Sequence, residues 1–131
     1  MSMYTIEDCF LIPLETVESD TEGYYSPFQV KRVFYSYDIP CGEARGAHAH
    51  KECHQLLVAL NGSYEVVLDD GKNRKVIRLD SPKYGLHIPP HVWAAEQNFT
   101  PRAICLVLAS HAYSEEDYIR SYDEYLKFRG Q

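Results

Sequence analysis

The sequence predicts an all-β domain, a sandwich or a barrel, that carries one short helix at its C-terminus. Most of the chain consists of short apolar runs with a period of two, and turn residues separate these runs. Many short strands at regular spacing are typical of sandwiches and barrels. Only the tail changes period, because apolar and aromatic residues recur there at spacings of three and four, at Tyr118, Tyr122, Tyr125 and Leu126.

The strands are predicted from the runs between residues 28 and 110. Asn61-Gly62 and Asp70-Gly71 each separate two β-branched runs, and both central residues of a tight hairpin turn need positive φ. We therefore expect a hairpin at each pair. The predicted strands are 28–39, the segment around the histidines at 48 and 50, 53–60, 63–70, 75–79, 85–89, 91–97 and 103–110.

The two ends of the chain differ from this central part. Residues 1–27 mix short apolar pieces with acidic residues, so we predict an irregular arm with one or two short strands and a turn region at 23–27. Ser114 and Asp117 resemble a capping box, which predicts a helix over 114–129. We expect the tyrosine stripe of that helix to pack against the barrel.

Composition limits the classes of function. A chain of 131 residues is large enough for one domain, so we expect a single domain over 1–131. The formal net charge of -6 and the lack of a Lys/Arg cluster argue against a nucleic acid or an anionic membrane as the partner. No run is long and apolar enough for a secretory or membrane segment, so we expect a cytoplasmic protein. The four cysteines are scattered, which favours structural thiols.

Three histidines in the stretch RGAHAHKECH are the strongest functional signal. On a strand, His48 and His50 point to one face, and His54 does so too if no bulge intervenes. Leu56 and Val58 continue that face, which predicts that the imidazoles lie at the mouth of a row facing the core. Such imidazoles are metal ligands, acid/base groups or only a polar rim of the core. The His-x-His pair favours a functional role, as a ligand or an acid/base group, over a polar rim.

The surroundings of these histidines resemble the cupin superfamily of small jelly-roll barrels. Gly42, His48, His50 and Gly62 fit its first motif, with His54 at the position of the motif glutamate. Its second motif falls on Pro89-Pro90-His91, and the position of its metal ligand is Ala94, which has no donor atom. A metal bound by His48, His50 and His54 remains an alternative, since three imidazoles and water make a workable site. A facial arrangement then needs a ligand from another strand, such as His87 or His91.

A closer resemblance covers nearly the whole chain from about residue 28. The chain resembles the sugar-nucleotide 3,4-ketoisomerases, the WxcM-like cupins that act on dTDP-4-keto-6-deoxyglucose, in the segments KRVFYSYD, RGAHAHK, LVALNGS, VVLDDG, LDSP, IPPHVW, LVLAS and DYIRSYDEYLKF. The resemblance implies a cupin jelly-roll barrel, a homodimer and a site without metal or other cofactor. His54 and Ala94 depart from the glutamate and histidine that members often carry, which indicates an altered pocket floor.

The resemblance also implies roles for particular residues. His48 and His50 are expected to move protons jointly, with Tyr35 orienting the base or protonating an enediolate oxygen. The substrate diphosphate needs cations or donors, for which Arg32, Arg45 and Lys51 lie nearby in sequence. Trp93 is expected either to stack on thymine or wall the sugar pocket, or to be a plain core aromatic.

Three hypotheses therefore remain at the level of sequence. The first is a cofactor-free ketoisomerase that moves the keto group of a nucleotide-linked deoxysugar from C4 to C3 through an enediolate. The second is a metal-dependent cupin dioxygenase or isomerase that uses His48, His50 and His54. The third is a non-catalytic cupin that binds a sugar ligand. For all three we expect a homodimer that exchanges an N-terminal strand, because the apolar stretch 10–12 lacks an obvious partner within one barrel.

Overall fold

The computed structural model describes residues 2–14, 26–40 and 42–131, and within these ranges the chain folds into two antiparallel five-stranded sheets and one short C-terminal helix. The prediction of an all-β fold with a C-terminal helix is confirmed. One sheet has the order β1-β7-β4-β9-β2 and the other the order β10-β3-β8-β5-β6. The strands are β1 (Phe10–Pro13), β2 (Arg32–Ser36), β3 (Arg45–His50), β4 (Gln55–Asn61), β5 (Tyr64–Asp69), β6 (Arg74–Leu79), β7 (Tyr84–Ile88), β8 (Trp93–Gln97), β9 (Ile104–Ala109) and β10 (Tyr118–Ile119), and the helix α1 is Tyr122–Phe128.

The core lies between the two sheets. Burial alternates along β9, where Cys105 and Val107 are buried and the residues between them are less so, as expected when one face of a strand packs inward. Residues of both sheets form one buried cluster, which includes Leu57, Tyr64, Val66, Leu86 and Val107. Cys9, Cys53 and Cys105 are buried free thiols, and burial raises the pKa of Cys9 and of Cys105 to about 12, which agrees with a structural role.

Only one of the two predicted hairpins forms. β5 pairs with β6 from Tyr64↔Leu79 to Asp69↔Arg74, so the turn at Asp70-Gly71 closes a hairpin as predicted. The hairpin predicted at Asn61-Gly62 is wrong, because β4 pairs with β7 and β9 whereas β5 pairs with β6 and β8. Gly62 does turn the chain with a positive φ of 65°, but the turn carries it from one sheet to the other.

The C-terminal segment corrects the predicted helix 114–129. Ser114 makes no side-chain cap, and the chain forms a 3₁₀ turn at Glu115–Asp117 and then β10, which pairs with β3. The helix α1 starts only at Tyr122, where the Ser121 hydroxyl accepts a hydrogen bond from the Glu124 backbone N–H at 3.3 Å. Fully buried Tyr125 donates to the carbonyl oxygens of Asp69 (3.0 Å) and His91 (2.6 Å), which ties the helix to the barrel.

The N-terminal arm contains the 3₁₀ helix Ile6–Asp8 and β1. β1 pairs with β7 of the same chain, so the expectation that the stretch 10–12 lacks a partner within one barrel is wrong. Phe10 and Leu11 nevertheless remain 57% and 49% exposed. Residues 15–25 lie outside the described ranges, and with them most of the predicted turn region at 23–27. None of the helices in the described ranges has the length and apolar character that crossing a bilayer requires.

Candidate active site

The two sheets enclose a cavity of about 160 Å³ at one end of the core. Residues of six strands line it, and its polar side chains come from β2, β3, β4 and β8. The lining residues are Phe34, Ser36, Arg45, Gly46, His48, Gln55, Leu57, Ile88, Ala94, Glu96, Cys105 and Val107. An enclosed pocket with a few convergent polar groups is the kind of site in which small ligands bind.

A β-bulge shapes the β3 wall of this cavity. The register of β3 on β8 shifts between Arg45↔Glu96 and His48↔Ala94, and Gly46 within the bulge has a φ of +67°. Bulges re-aim side chains and recur beside active sites, and glycine adopts positive φ without a steric penalty. The bulge comes directly before the end of β3 that carries the two histidines.

The motif histidines lie in contact. The ring centroids of His48 and His50 are 4.8 Å apart in an edge-to-face arrangement, and the ring of Tyr118 lies 4.9 and 4.4 Å from them. The Nδ1 atom of His50 is 2.8 Å from Oδ2 of Asp117. The Nε2 atom of His50 is buried and has no hydrogen-bond partner within the described residues. Asp117 therefore fixes the His50 ring at Nδ1, while Nε2 of the same ring has no hydrogen-bond partner within the described residues.

Asp117 holds that imidazole in one tautomer. Its Oδ1 atom accepts a hydrogen bond from the Glu52 backbone N–H at 2.8 Å, and Oδ2 accepts one from the Cys53 N–H at 3.3 Å. Burial alone raises the pKa of Asp117, but the hydrogen bonds from His50 and the two N–H groups outweigh it and lower that pKa below its usual value. An ionised carboxylate only accepts, so Nδ1–H of His50 donates and Nε2 carries the lone pair.

Both histidines are neutral near pH 7. Burial, followed by the neighbouring His50, Arg120 and Arg32, lowers the pKa of His48 to about 3. Burial also lowers the pKa of His50, while the hydrogen bond and charge of Asp117 oppose that shift. His50 is accordingly the better placed of the two to accept a proton, because Asp117 stabilises its imidazolium form.

Two arginines lie beside Tyr118, and a third lines the cavity. Arg32 donates to the Tyr118 hydroxyl at 3.1 Å, and the Arg120 guanidinium lies 4.2 Å from the Tyr118 ring centroid. Arg120 is also paired with Glu115 at 2.7 Å. Arg45 lines the cavity itself and is 3.5 Å from Glu43. Lys51 lies instead in a neighbouring surface groove of about 480 Å³, next to Asp117, His111 and Tyr113.

Two residues expected at the site lie elsewhere in the described chain. Tyr35 is 62% exposed, because Phe34 and Ser36 of the same strand take the cavity face and alternation directs Tyr35 outward. In the single chain the tyrosine that contacts the histidines is Tyr118, and the role expected for Tyr35 stays a prediction. Trp93 packs against Tyr122 and Tyr125, with ring centroids 5.3 and 5.6 Å away. This packing agrees with the alternative that Trp93 is a plain core aromatic.

His54 does not join His48 and His50. Its Nδ1 atom is 3.0 Å from Nε2 of His87, and its ring lies 5.7 Å from that of Tyr4 in the N-terminal arm. The chain turns between β3 and β4, so Gln55 and Leu57, rather than Leu56 and Val58, face the cavity. The predicted common face for all three histidines is therefore wrong beyond His50.

The metal hypothesis thus loses its ligand set in the described residues. The compact group of possible ligands there is His50, Cys53 and Asp117, whose ligand atoms lie within 4.8 Å of one another. Hydrogen bonds account for this group, since Asp117 binds the His50 ring and the Cys53 thiol donates to the His54 carbonyl oxygen at 3.3 Å.

Sequence reasoning missed four residues of this region. Asp117 was interpreted as a helix cap, and Tyr118 and Arg120 as parts of a helix. Asp117 instead ends the 3₁₀ turn, Tyr118 begins β10, and Arg120 follows that strand. Glu96 had a usable signal, because alternation within WAAEQ places it on the same face as Ala94, the position expected to face the site.

The double-sheet barrel, with a His-x-His pair at an internal cavity, defines a cupin. The chain belongs to the family described as FdtA: WxcM-like, C-terminal, whose profile matches residues 3–130. It is 49% identical over 102 residues, 78% of this chain and 73% of the relative, to TDP-4-oxo-6-deoxy-alpha-D-glucose-3,4-oxoisomerase from Aneurinibacillus thermoaerophilus.

Solved structures agree with this family. A 3,4-ketoisomerase from Helicobacter canadensis is 40% identical with a TM-score of 0.85, and the match covers 95% of this chain and 98% of that one. A mutant 3,4-ketoisomerase from Thermoanaerobacterium thermosaccharolyticum, in complex with TDP-4-keto-6-deoxyglucose, is 37% identical with a TM-score of 0.85 over 93% of this chain and 94% of that one.

Proposed function

We propose that this protein is a 3,4-ketoisomerase that moves the keto group of TDP-4-keto-6-deoxyglucose from C4 to C3. The observation that carries the proposal is the buried, unpartnered Nε2 of His50, which Asp117 holds in the basic tautomer beside His48 and the cavity. Relatives named as 3,4-oxoisomerases and 3,4-ketoisomerases support the choice of reaction and of substrate.

The reaction requires proton transfers at two neighbouring carbons. The C4 ketone acidifies the C3–H bond, and His50 Nε2 takes that proton, so that the electron pair forms an enediolate. A proton is then returned to C4, and the C3 oxygen becomes the ketone. A neutral imidazole serves both as base and, once protonated, as acid. His48, whose ring contacts His50, is the second member of the pair and exchanges protons with the same substrate region.

The nucleotide end of the substrate needs cations outside the small cavity. Arg45 lines the cavity and Arg32 and Arg120 lie against Tyr118 beside the two histidines, and guanidinium groups bind diphosphate oxygens with two parallel hydrogen bonds. The enclosed cavity takes the keto-sugar ring, and Lys51 in the neighbouring groove is a further candidate for the diphosphate. No metal or other cofactor enters this mechanism, because the substrate's own ketone supplies the acidity that the base exploits.

The first prediction is that the purified protein isomerises TDP-4-keto-6-deoxyglucose in deuterated water and leaves deuterium at C4 of the product. NMR of the product measures both the label and the C4 configuration, which separates the galacto from the gluco product. The assay is run with and without a chelator. Activity that a chelator abolishes and a metal restores supports the metal-dependent alternative, and substrate binding without conversion supports the non-catalytic one.

We also propose that the protein is a homodimer in the cytoplasm. The described surface carries large exposed apolar side chains on β1 and on the edge strand β2, among them Phe10, Leu11, Val33 and Tyr35. Edge strands and exposed apolar patches favour association. Exchange of the N-terminal strand is one form of such a dimer, in which β1 pairs with the partner's β7.

The second prediction is a dimeric mass in light scattering at micromolar concentration. A Val33→Glu variant on the edge strand is expected to shift the mass toward the monomer, because it buries a charge in the interface. Glu replacement of exposed Val76 on β6, in the other sheet, is the matched control and is expected to leave the dimer intact. A monomeric wild type contradicts the proposal.

A further inference from the structure

Glu96 is a carboxyl group inside the cavity that the mechanism above does not use. It lies on β8 and lines the same cavity as His48. Within the described residues, it takes part in none of the ion pairs. An acidic side chain that lines a barrel cavity and forms no ion pair costs stability, so its presence calls for another reason.

The backbone opposite is built around this carboxyl group. A Cβ atom at Gly46 would lie 2.7 and 2.9 Å from the two carboxylate oxygens of Glu96. The bulge that gives Gly46 its positive φ therefore brings a bare Cα against the carboxyl group, and a larger residue there would push it out of place. The carboxyl group of Glu96 thus packs directly against the bulge, in the cavity that His48 also lines.

The surroundings keep the carboxyl group protonated. Burial raises the pKa of Glu96 to about 8. Burial also raises the pKa of Cys105 to about 12 and that of Tyr64 still further, so both stay neutral. Arg45 is the cation among the cavity groups, and it is paired with Glu43. The titratable groups that face Glu96 are Arg45 and His48 on β3, Tyr64 on β5 and Cys105 on β9, and β2, β4 and β7 present none to the cavity.

A 3,4-keto shift moves protons at oxygen as well as at carbon. When the C3 proton leaves, the electrons of C4=O pass to the C4 oxygen, which must gain a proton to become a hydroxyl. When C4 is protonated, the C3 hydroxyl must lose its proton to become a ketone. The histidine pair accounts for the two transfers at carbon, and the two transfers at oxygen need a second group.

We propose that Glu96, as a neutral carboxylic acid, performs the proton exchange at the two substrate oxygens. One carboxyl oxygen gives its proton to the C4 oxygen as the C3 proton leaves, which yields a neutral enediol, and the other takes the proton of the C3 hydroxyl as the C3 ketone forms. Glu96 ends the cycle protonated, as it began, and no other reactant is needed. This role rests on the proposed ketoisomerase function.

The third prediction begins with a measurement that is independent of activity. The unfolded chain loses the Glu96 proton near pH ~4.3, whereas the folded protein keeps it to about pH 8. The folded state binds more protons in this window, so this residue makes stability fall as pH rises through it. Urea midpoints of wild type and Glu96→Gln are therefore expected to diverge between about pH 5 and 8, with the variant gaining relative stability. Parallel midpoints contradict a neutral Glu96.

Turnover then tests the role itself. Glu96→Gln keeps size and hydrogen-bonding capacity but carries no transferable proton, and we expect kcat to fall about 10²-fold. Glu96→Asp keeps the acid and is expected to retain more activity than Gln despite its shorter side chain. Wild-type kcat is expected to fall as pH rises through about 8, and the residual activity of Glu96→Gln is expected to lack this decline. Glu65→Gln, on the outer face of the neighbouring strand, is the matched control and keeps wild-type kcat.

Each outcome decides between the two proposals. An active wild type with equal kcat in Glu96→Gln, or a Gln variant more active than the Asp variant, overturns the role of Glu96 and leaves the ketoisomerase function standing. A wild type that never converts TDP-4-keto-6-deoxyglucose to the 3-keto product overturns the ketoisomerase function, and the role of Glu96 falls with it. The urea midpoints report the protonation of Glu96 in both cases.

Discussion

A His50→Asn variant is expected to lose at least about 10²-fold in kcat, because a positioned acid/base group contributes on the order of 10² to 10⁴ in rate. Its Nε2 atom is the buried nitrogen with a free lone pair, and asparagine offers no comparable base. The amide N–H of asparagine can still donate a hydrogen bond to Asp117, so the site should keep its shape. Nucleotide binding, which the proposal assigns to the arginines, is expected to change little.

Two further histidine variants make this a comparison within one chain. His48→Asn is expected to lose kcat to a similar degree, since its ring contacts His50 at the cavity. His54→Gln is the control and is expected to be tolerated, because His54 lies beside His87 and the N-terminal arm. Steady-state kinetics of the three variants, with isothermal titration of TDP, checks the result. Equal losses at positions 48, 50 and 54 contradict the acid/base mechanism and favour a shared metal.

An Asp117→Asn variant is expected to lower kcat by at least about 10²-fold, although Asp117 does not reach the cavity. The backbone N–H of Glu52 holds one carboxylate oxygen at 2.8 Å, which favours the amide oxygen of asparagine at that place. The amide nitrogen then faces Nδ1 of His50 and donates to it. His50 must respond with its proton on Nε2, so the lone pair turns away from the substrate.

Measuring kcat and KM of the Asp117→Asn variant separately tests this positioning role. KM is expected to stay near its wild-type value, and ¹⁵N NMR of the imidazole is expected to report the exchanged tautomer. Glu116→Gln, the same kind of change at the preceding exposed residue, is the matched control and keeps wild-type kinetics. An Asp117→Asn variant with the original tautomer and unchanged kcat contradicts the proposed role.

The sequence predicted those features of the fold that local chemistry determines. Period-two runs located most of the barrel strands, and Asp70-Gly71 located a true hairpin. Asn61-Gly62 met the same local requirement, but the partner of a strand depends on which sheet buries it. The helix start failed for a similar reason, since the carboxylate of Asp117 binds His50, 67 residues away, instead of capping a helix.

The site was predicted in part. Resemblance and spacing located His48 and His50, whose rings the structure places in contact. The prediction that His54 lies on the same face as His48 and His50 assumed one continuous strand. The chain turns between β3 and β4, so the residues of β4 that face the cavity are Gln55 and Leu57. Tyr35 was assigned through the resemblance and Trp93 as a candidate wall of the sugar pocket, and each lies on the face of its strand opposite the cavity. Asp117 and Arg120 come from the far end of the chain, which no local pattern connects to the histidines.

The close approach of Gly46 and Glu96 has a consequence for how the family diversifies. Position 46 is constrained twice, because a φ of +67° strains any residue with a side chain and because that side chain would displace the carboxyl group of Glu96. A smaller residue at 96 would relieve the collision, but it would leave the backbone strain and remove the acid that the proposed reaction uses. A library that randomises both codons and is selected for activity should therefore return glycine at 46 together with an acidic residue at 96.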